Sequence, residues 1–493
     1  MNTGSSDRAI LTRIARRAMA ERGLLTDFSA DAEREVASAS AARDGGGDVV
    51  DLRHLPWCSI DNDDSRDLDQ LTAASVLPEG GGRLLVAVAD VDAVVPRDGA
   101  VDAHARHNTT SVYTPAVIFP MLPERLSTDL TSLNPGADRL AIVVSLDIHG
   151  DGSLKATGIS RAIVRNQAQL AYDNVAAWLD DVGPVPAAVA DVPALEPTVR
   201  LQHQLAQALR ARRLEEGAIS LDTREAQVTL AGDAVGEIRA ASHNHAKELI
   251  EEAMVAVNGV TARLLGDRGL ASIRRVVRTP RRWERIVELA ATFGATLPEL
   301  PDPRALAGFL AKRRAADALR FPDLSLAVVK LLGPGEYVAA APGAETIGHF
   351  GLAVRDYAHS TAPNRRFPDL VTHRLVKAAL AKRPAPYQQQ ELEEIARDCT
   401  RREDDASKVE RQVRKSAAAL LLAGRIGARF EGIVTGAAAK GTWVRVVLPP
   451  VEGRVIRGER GLDVGDRVEV SLVATDVERG FIDFARAGSP ERP

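Results

Sequence analysis

Residues 61–70 hold five aspartates in ten positions, within Asp61-Asn62-Asp63-Asp64-Ser65-Arg66-Asp67-Leu68-Asp69-Gln70. A solvated Asx-rich turn is the common fate of such a run. This one follows Trp57 and Cys58 and precedes an apolar stretch, so it lies beside core. Carboxylates crowded against core repel one another and resist ionising unless a cation neutralises them. Hard oxygen ligands with spare negative charge suit Mg2+ or Mn2+. The run lacks the central Gly and terminal Glu of an EF-hand loop. The residues therefore read as a hard-metal site.

The elements that must position this site can be read coarsely. Apolar spacing at Ile10, Leu11, Ile14, Ala15 and Ala18 marks an N-terminal amphipathic helix with Ser5, Ser6 and Asp7 as candidate caps. Gly45-Gly46-Gly47 breaks the chain after it. Buried-strand runs follow at residues 84–89 and 141–146. Helices are predicted over residues 167–180, 201–216, 246–265, 281–293, 303–315, 367–381 and 388–424. Residues 184–196 are rich in Pro and Ala and read as a connector. After Gly424 the texture changes to five short strands at residues 430–434, 442–447, 453–456, 467–474 and 480–484, separated by glycine turns. That pattern predicts a small OB-type barrel. The fold class is α+β, divided into a helical segment over 1–47, a mixed domain over 48–424 that carries the aspartate cluster, and the barrel over 425–488.

The chain has 493 residues, 45% hydrophobic and 26% charged, with a net charge of −4. This is ordinary globular chemistry and suggests two to four domains. The acidic total argues against a nonspecific nucleic-acid binder but leaves room for a basic channel. Only nine of the 63 basic residues are lysine; arginine suits bidentate phosphate contacts, though genome composition is the plainer explanation. Two distant cysteines, Cys58 and Cys399, form no disulfide framework. They fit a cytoplasmic setting. No apolar run approaches the roughly 20 residues of a membrane span. The histidine pairs His104/His107 and His243/His245 match no structural zinc spacing.

Five collinear blocks resemble the RNase II/RNase R (RNB) family. Ile60-Asp61 followed by Asp67-Leu68-Asp69-Gln70 is similar to its I-D, spacer, D-x-D-D signature. The others are Ala87 to Val91; Thr110-Ser111-Val112-Tyr113 with Pro120 to Ser127 and Ser132 to Pro135; Glu251 to Asn258; and His349-Phe350-Gly351-Leu352, Tyr357, Ser360 to Phe367, Asp369 and His373-Arg374-Leu375. Together they span roughly residues 50–425, and collinearity makes chance a poor account. The resemblance implies a mixed α/β domain with a channel for single-stranded RNA, and an S1-type tail barrel. It implies metal-dependent hydrolysis of the 3′-terminal phosphodiester, releasing nucleoside 5′-monophosphates.

Residue by residue, the resemblance carries metal roles to Asp61, Asp67 and Asp69. The fourth family aspartate falls on Gln70, a departure whose amide oxygen can still ligate the metal but without charge; Asp63, Asp64 and Asp92 are the candidates to compensate. It carries the phosphate contact to Arg365, with Arg366 as a neighbouring fork. Tyr172 would stack on a terminal base, Tyr113 would line the channel, and Glu410 would stand near the site. Trp443 is the best stacking candidate on the barrel. Tyr172 and Tyr113 read almost equally well as core residues. Relatives usually carry two cold-shock barrels ahead of this domain; a short helical segment, completed by later residues in a winged-helix-like way, is expected here instead. The partner is single-stranded RNA and the chain is expected to be a monomer. The competing readings are an inactive RNA-binding protein of the same fold, which Gln70 favours, and an unrelated phosphatase or glycosyl transferase using Asp67-x-Asp69.

Overall fold

The computed structural model describes residues 6–41, 48–222, 226–240, 244–318, 320–345, 347–438 and 440–488. Ser5, the Gly45–Gly47 breaker and His243 lie outside them. The chain opens with α1 (Asp7–Glu21) and α2 (Ala30–Ser38). Ser6 and Ser29 cap them, each side chain accepting a backbone N–H three residues on.

A six-stranded sheet follows, built from β1 (Val49–Asp51), β2 (Trp57–Asp61), β3 (Gln70–Val76) and β4 (Gly82–Ala89). After α3 (Ala100–Asn108) and the small hairpin β5 (Val112–Tyr113) and β6 (Ile118–Phe119) come β7 (Asp138–Ile148) and β8 (Leu154–Ala171). The order is β1-β8-β2-β3-β4-β7. The long β8 pairs antiparallel with β7 through its first two thirds and parallel with β2 through its last six residues, so the sheet curls back on itself. The helix predicted over 167–180 is corrected here. Residues 167–171 end β8, because Ala168 and Leu170 are buried while Gln167 and Gln169 are exposed, a period of two. Helix α4 (Tyr172–Leu179) begins only afterwards.

The connector contains a short helix, α5 (Ala187–Ala190), before α6 (Leu195–Glu215). The hairpin β9 (Ala226–Ala231) and β10 (Ala234–Ala240) leads to α7 (His245–Asp267). Side chains of α6 and α7 pack on one sheet face, where Leu205, Ala253 and Val257 meet Leu84, Val86 and Val144. After β11 (Ser272–Val276), α8 (Trp283–Thr292), α9 (Pro303–Ala316), α10 (Phe321–Leu332) and β12 (Glu336–Ala340) comes α11 (Phe367–Leu380). It packs Leu370, Val371 and Leu375 with Leu71, Ala73, Ala87 and Ala89 in a second core. The 35-residue α12 (Gln389–Ala423) then runs to the barrel. The N-terminal helix is completed by the β9–β10 hairpin and by α12: Leu11, Ile14 and Ala15 share a core with Val235, Val409 and Val413.

The tail forms a closed barrel of β13 (Arg429–Ala438), β14 (Gly441–Val446), β15 (Glu452–Arg457), β16 (Arg467–Asp476) and β17 (Phe481–Arg486). Phe430 and Phe484 fill its core edge-on at 6.1 Å. Among the described residues no helix is long and apolar enough to cross a membrane.

Two stability outcomes follow. A Cβ on Gly453 would sit 2.5 Å from a Phe484 ring carbon and 2.6 Å from the Ile482 carbonyl oxygen. Gly453→Ala should therefore destabilise the barrel by about 1–3 kcal/mol, read by urea unfolding. Buried His104 lies against the Phe28 ring, and burial, then His107, pushes its pKa down to about 4. Its ordinary value is 6.5, so the unfolded chain binds the proton first. The contribution is intact above pH 6.5 and is lost as pH falls toward 4. His104→Gln should flatten that part of the Tm-against-pH curve.

Candidate functional site

Asp61 ends β2, Asp69 immediately precedes β3, and Asp67 lies on the loop between them. Asp69 is 2% exposed. Its carboxylate accepts the Asn364 backbone N–H at 3.1 Å and Arg365 Nε at 3.3 Å. Burial pushes its pKa up to about 7, with Arg365 opposing and the Asp67 charge adding to the rise. Asp61 is also raised, by burial first, and again Asp67 contributes. Asp67 therefore stands electrically between the other two carboxylates. Its Oδ2 accepts the Tyr113 hydroxyl at 3.0 Å, and burial together with Asp67 holds that hydroxyl protonated. Glu410, on α12, accepts the Tyr113 backbone N–H at 2.8 Å. Tyr172 starts α4 one residue beyond Ala171, the register partner of Asp61, and the Asp61 charge raises its pKa after burial does.

The strand Asp61–Tyr172 corner and the Asp69–Arg365 pair thus gather Asp61, Asp67, Asp69, Arg365, Tyr113, Tyr172 and Glu410 at one end of the sheet. Four expectations are revised. Gln70 opens β3, where side chains alternate between faces; this sends its amide to the side opposite Asp69, and no hydrogen bond joins it to the aspartates. Asp92 is committed elsewhere, to Arg374 at 2.7 Å and Lys377 at 2.9 Å, and offsets nothing. Asp63 and Asp64 are exposed on the turn. Arg366 turns inward to Asp369 at 2.7 Å instead of forking alongside Arg365. Trp443 stands apart, half-buried on β14 of the barrel.

The segment 358–366 is held from three sides. Asn258, a buried amide on the apolar stripe of α7, accepts the Ser360 backbone N–H at 2.8 Å and donates to the Tyr357 hydroxyl at 3.2 Å. Fully buried Asp369 accepts the Thr361 and Ala362 N–H groups at 2.8 and 2.9 Å while pairing with Arg366. Ser111 N donates to the Arg365 carbonyl at 3.0 Å, and Phe367 N to that of Thr109 at 2.8 Å. Arg365 thus has a fixed backbone and a side chain 44% exposed, with only its Nε engaged among the described residues, by Asp69. The anchoring role of Asn258 escaped the sequence reading; the signal was a polar residue interrupting a helical apolar stripe.

Among the described residues, no group of three acidic, histidine or cysteine side chains is arranged to hold a metal ion. A divalent cation still fits the donor chemistry. Magnesium is usually held by one or two carboxylates with substrate phosphates completing the shell, and two desolvated carboxylates flanking Asp67 carry charge that only a cation or protons can relieve. The His104/His107 pair is hydrogen-bonded within the fold: His104 is 3.3 Å from the Asn108 amide, and His107 is 2.9 Å from the Gly23 carbonyl oxygen.

Asp369→Ala would strand the buried Arg366 guanidinium and two N–H groups. The expected loss is about 3–5 kcal/mol, measured by thermal unfolding, with Asp369→Asn intermediate.

The RNB domain model matches residues 49–382, and the model of the RNase II-type exonuclease C-terminal S1 domain matches residues 428–487. Ribonuclease R of Escherichia coli K12 is 31% identical over 486 residues, which cover 90% of this chain but 58% of that protein. The chain therefore spans less than two thirds of that relative's length. Ribonuclease R of Thermotoga maritima is 31% identical over 93% of this chain and 68% of the relative. Among solved structures, Mycoplasma genitalium RNase R in complex with ribose-methylated single-stranded RNA shares the fold at TM-score 0.87 and 24% identity, covering 97% of this chain and 78% of that one. Yeast Ssd1, described as a pseudonuclease, shares it at TM-score 0.66 and 17% identity, covering 91% and 53%. With a family model covering more than half its length and Asp61, Asp67, Asp69 and Arg365 gathered at one end of the sheet, the chain belongs to the RNB family, whose nucleases are metal-dependent hydrolases.

Proposed function

We propose that the chain is a 3′→5′ exoribonuclease that hydrolyses single-stranded RNA to nucleoside 5′-monophosphates. The observation that carries this reading is the Asp69–Arg365 pair: a buried carboxylate beside an arginine whose backbone is pinned and whose side chain is partly exposed. A planar guanidinium offered in this way matches the dispersed charge of a phosphate undergoing displacement.

Asp61, Asp67 and Asp69 would hold the divalent cation, Mg2+ with Mn2+ as the alternative. When bound, the metal supplies the charge that stabilises the reacting phosphate and acidifies water near neutral pH. The protein's own groups do the positioning. Arg365 clamps the phosphate and is kept extended by Asp69. Tyr113 donates to Asp67 and, tethered through its N–H to Glu410, fixes the orientation of that carboxylate. Tyr172 offers a ring for base stacking, which tolerates any sequence. Arg366 acts through the loop as a positioning residue, and Trp443 offers a separate contact to the strand on the barrel. We place a monomer acting in the cytoplasm, where two buried free thiols need no oxidant.

A second reading, an RNA-binding protein without catalysis, is favoured by Gln70 and by the absence of a three-ligand metal group among the described residues. A gel assay separates the two. With 5′-labelled single-stranded RNA and Mg2+ or Mn2+, a ladder shortening from the 3′ end and abolished by EDTA is expected. Binding without cleavage in either metal would favour the second reading. Asp69→Asn should slow cleavage at least about 10³-fold while sparing RNA binding, and Arg365→Ala should lower kcat by about 10²–10³-fold.

A further inference from the structure

A cavity of about 900 Å³ opens beside α7, away from the aspartates, between α6, the β7–β8 turn and residues 353–356. Six of its lining residues are basic and three acidic, and all three acids are already paired. Glu252 is gripped by Arg213 at 2.9 Å, Glu216 lies 3.3 Å from Arg212, and Asp356 lies 3.9 Å from Arg274. Lys155 pairs with Glu79, and Arg304 donates to the Glu216 carbonyl at 3.4 Å. Arg263 and Arg355 remain without a side-chain partner among the described residues. The site therefore keeps excess positive charge on a chain whose net charge is −4.

Gly259 shapes the floor. A Cβ there would stand 3.4 Å from Arg263 Nη1 and 3.7 Å from the Asp356 carbonyl oxygen, so the guanidinium folds back over the helix toward the segment bearing Arg355. Two arginine forks lining one cavity suit a phosphate monoester. Leu154, Leu209 and Val255 give the same cavity an apolar wall, and its volume is within the range of small-molecule sites rather than of a polymer groove.

We propose that this cavity binds a nucleoside 5′-monophosphate, with the phosphate on Arg263 and Arg355 and the base against the apolar wall. That nucleotide is the product of the reaction proposed above, so the pocket's biological sense rests on that reading, while its binding chemistry does not. The bound ligand would also touch the run leading through Tyr357 to the Asn258 anchor of the Arg365 loop.

The test is calorimetric titration of 5′-AMP into the full chain in EDTA, which keeps cleavage silent. Wild type and Arg365→Ala should bind alike, the Arg263→Ala/Arg355→Ala double variant at least tenfold more weakly, and adenosine should not compete. Arg355→Glu alone should weaken binding comparably, with circular dichroism verifying the fold of each variant. Loss of AMP binding in Arg365→Ala with retention in the double variant would place the nucleotide at the catalytic loop and overturn the proposal. So would the absence of saturable binding to a wild type that still shortens RNA. A wild type that binds AMP at this pocket yet fails to shorten RNA would sink only the exoribonuclease reading.

Discussion

The burial of the Asp69 carboxylate is the constraint on which the site depends. An isolated carboxylate removed from water favours its protonated form, and here burial takes the pKa to about 7 against the pull of Arg365. Keeping that side chain charged requires a fixed cation and a fixed donor. The loop supplies both, Arg365 Nε and the Asn364 N–H. Because those two residues are consecutive, any slack in the loop would release both at once. This explains the density of polar anchors around it: Asn258 below Ser360, Asp369 below Thr361 and Ala362, Thr131 on the Asn364 side chain, and Ser111 on the Arg365 carbonyl. Each anchor is buried, and each closes hydrogen bonds that would otherwise be left open in low dielectric.

The long α12 couples distant parts of the chain to this loop. Its middle carries Glu410 to the Tyr113 backbone, its face with Val409 and Val413 packs on α1, and its last turns join the barrel core through Ala419 and Leu422. The N-terminal helix reaches the barrel as well, where Arg13 and Arg17 pair with Glu478. The helical segment, the β9–β10 hairpin and the barrel are thereby bound to one long helix that also touches Tyr113. Exposed ion pairs such as those of Glu478 add little stability alone; the apolar packing along α12 carries the coupling.

Much of the site was legible because its chemistry is written in side-chain type. Five aspartates beside core, an arginine pair before a helix, and the RNB-like spacing pointed to Asp61, Asp67, Asp69 and Arg365, all of which meet at one end of the sheet. The barrel's five strands were legible from glycine turns and alternation. What escaped depended on direction or on distant partners. Gln167 to Ala171 reads equally as the first turn of the following helix until β2 is seen pairing with it. Arg366 has the same type and neighbours as Arg365, yet Asp369, three residues on, draws it inward. Gln70 looks like a substituted ligand in sequence, whereas the pleat sends it across the strand. The hairpin that completes the N-terminal helix lies more than two hundred residues away, beyond any local pattern.

We propose that Asp69 and Arg365 act as one unit. A double-mutant cycle on the single-turnover rate of a 3′-terminal RNA bond tests it most directly, using Asp69→Asn, Arg365→Lys and the pair. If the two act together, the double variant should be little slower than the slower single variant. Rate losses that multiply would show two independent contributors and contradict the claim.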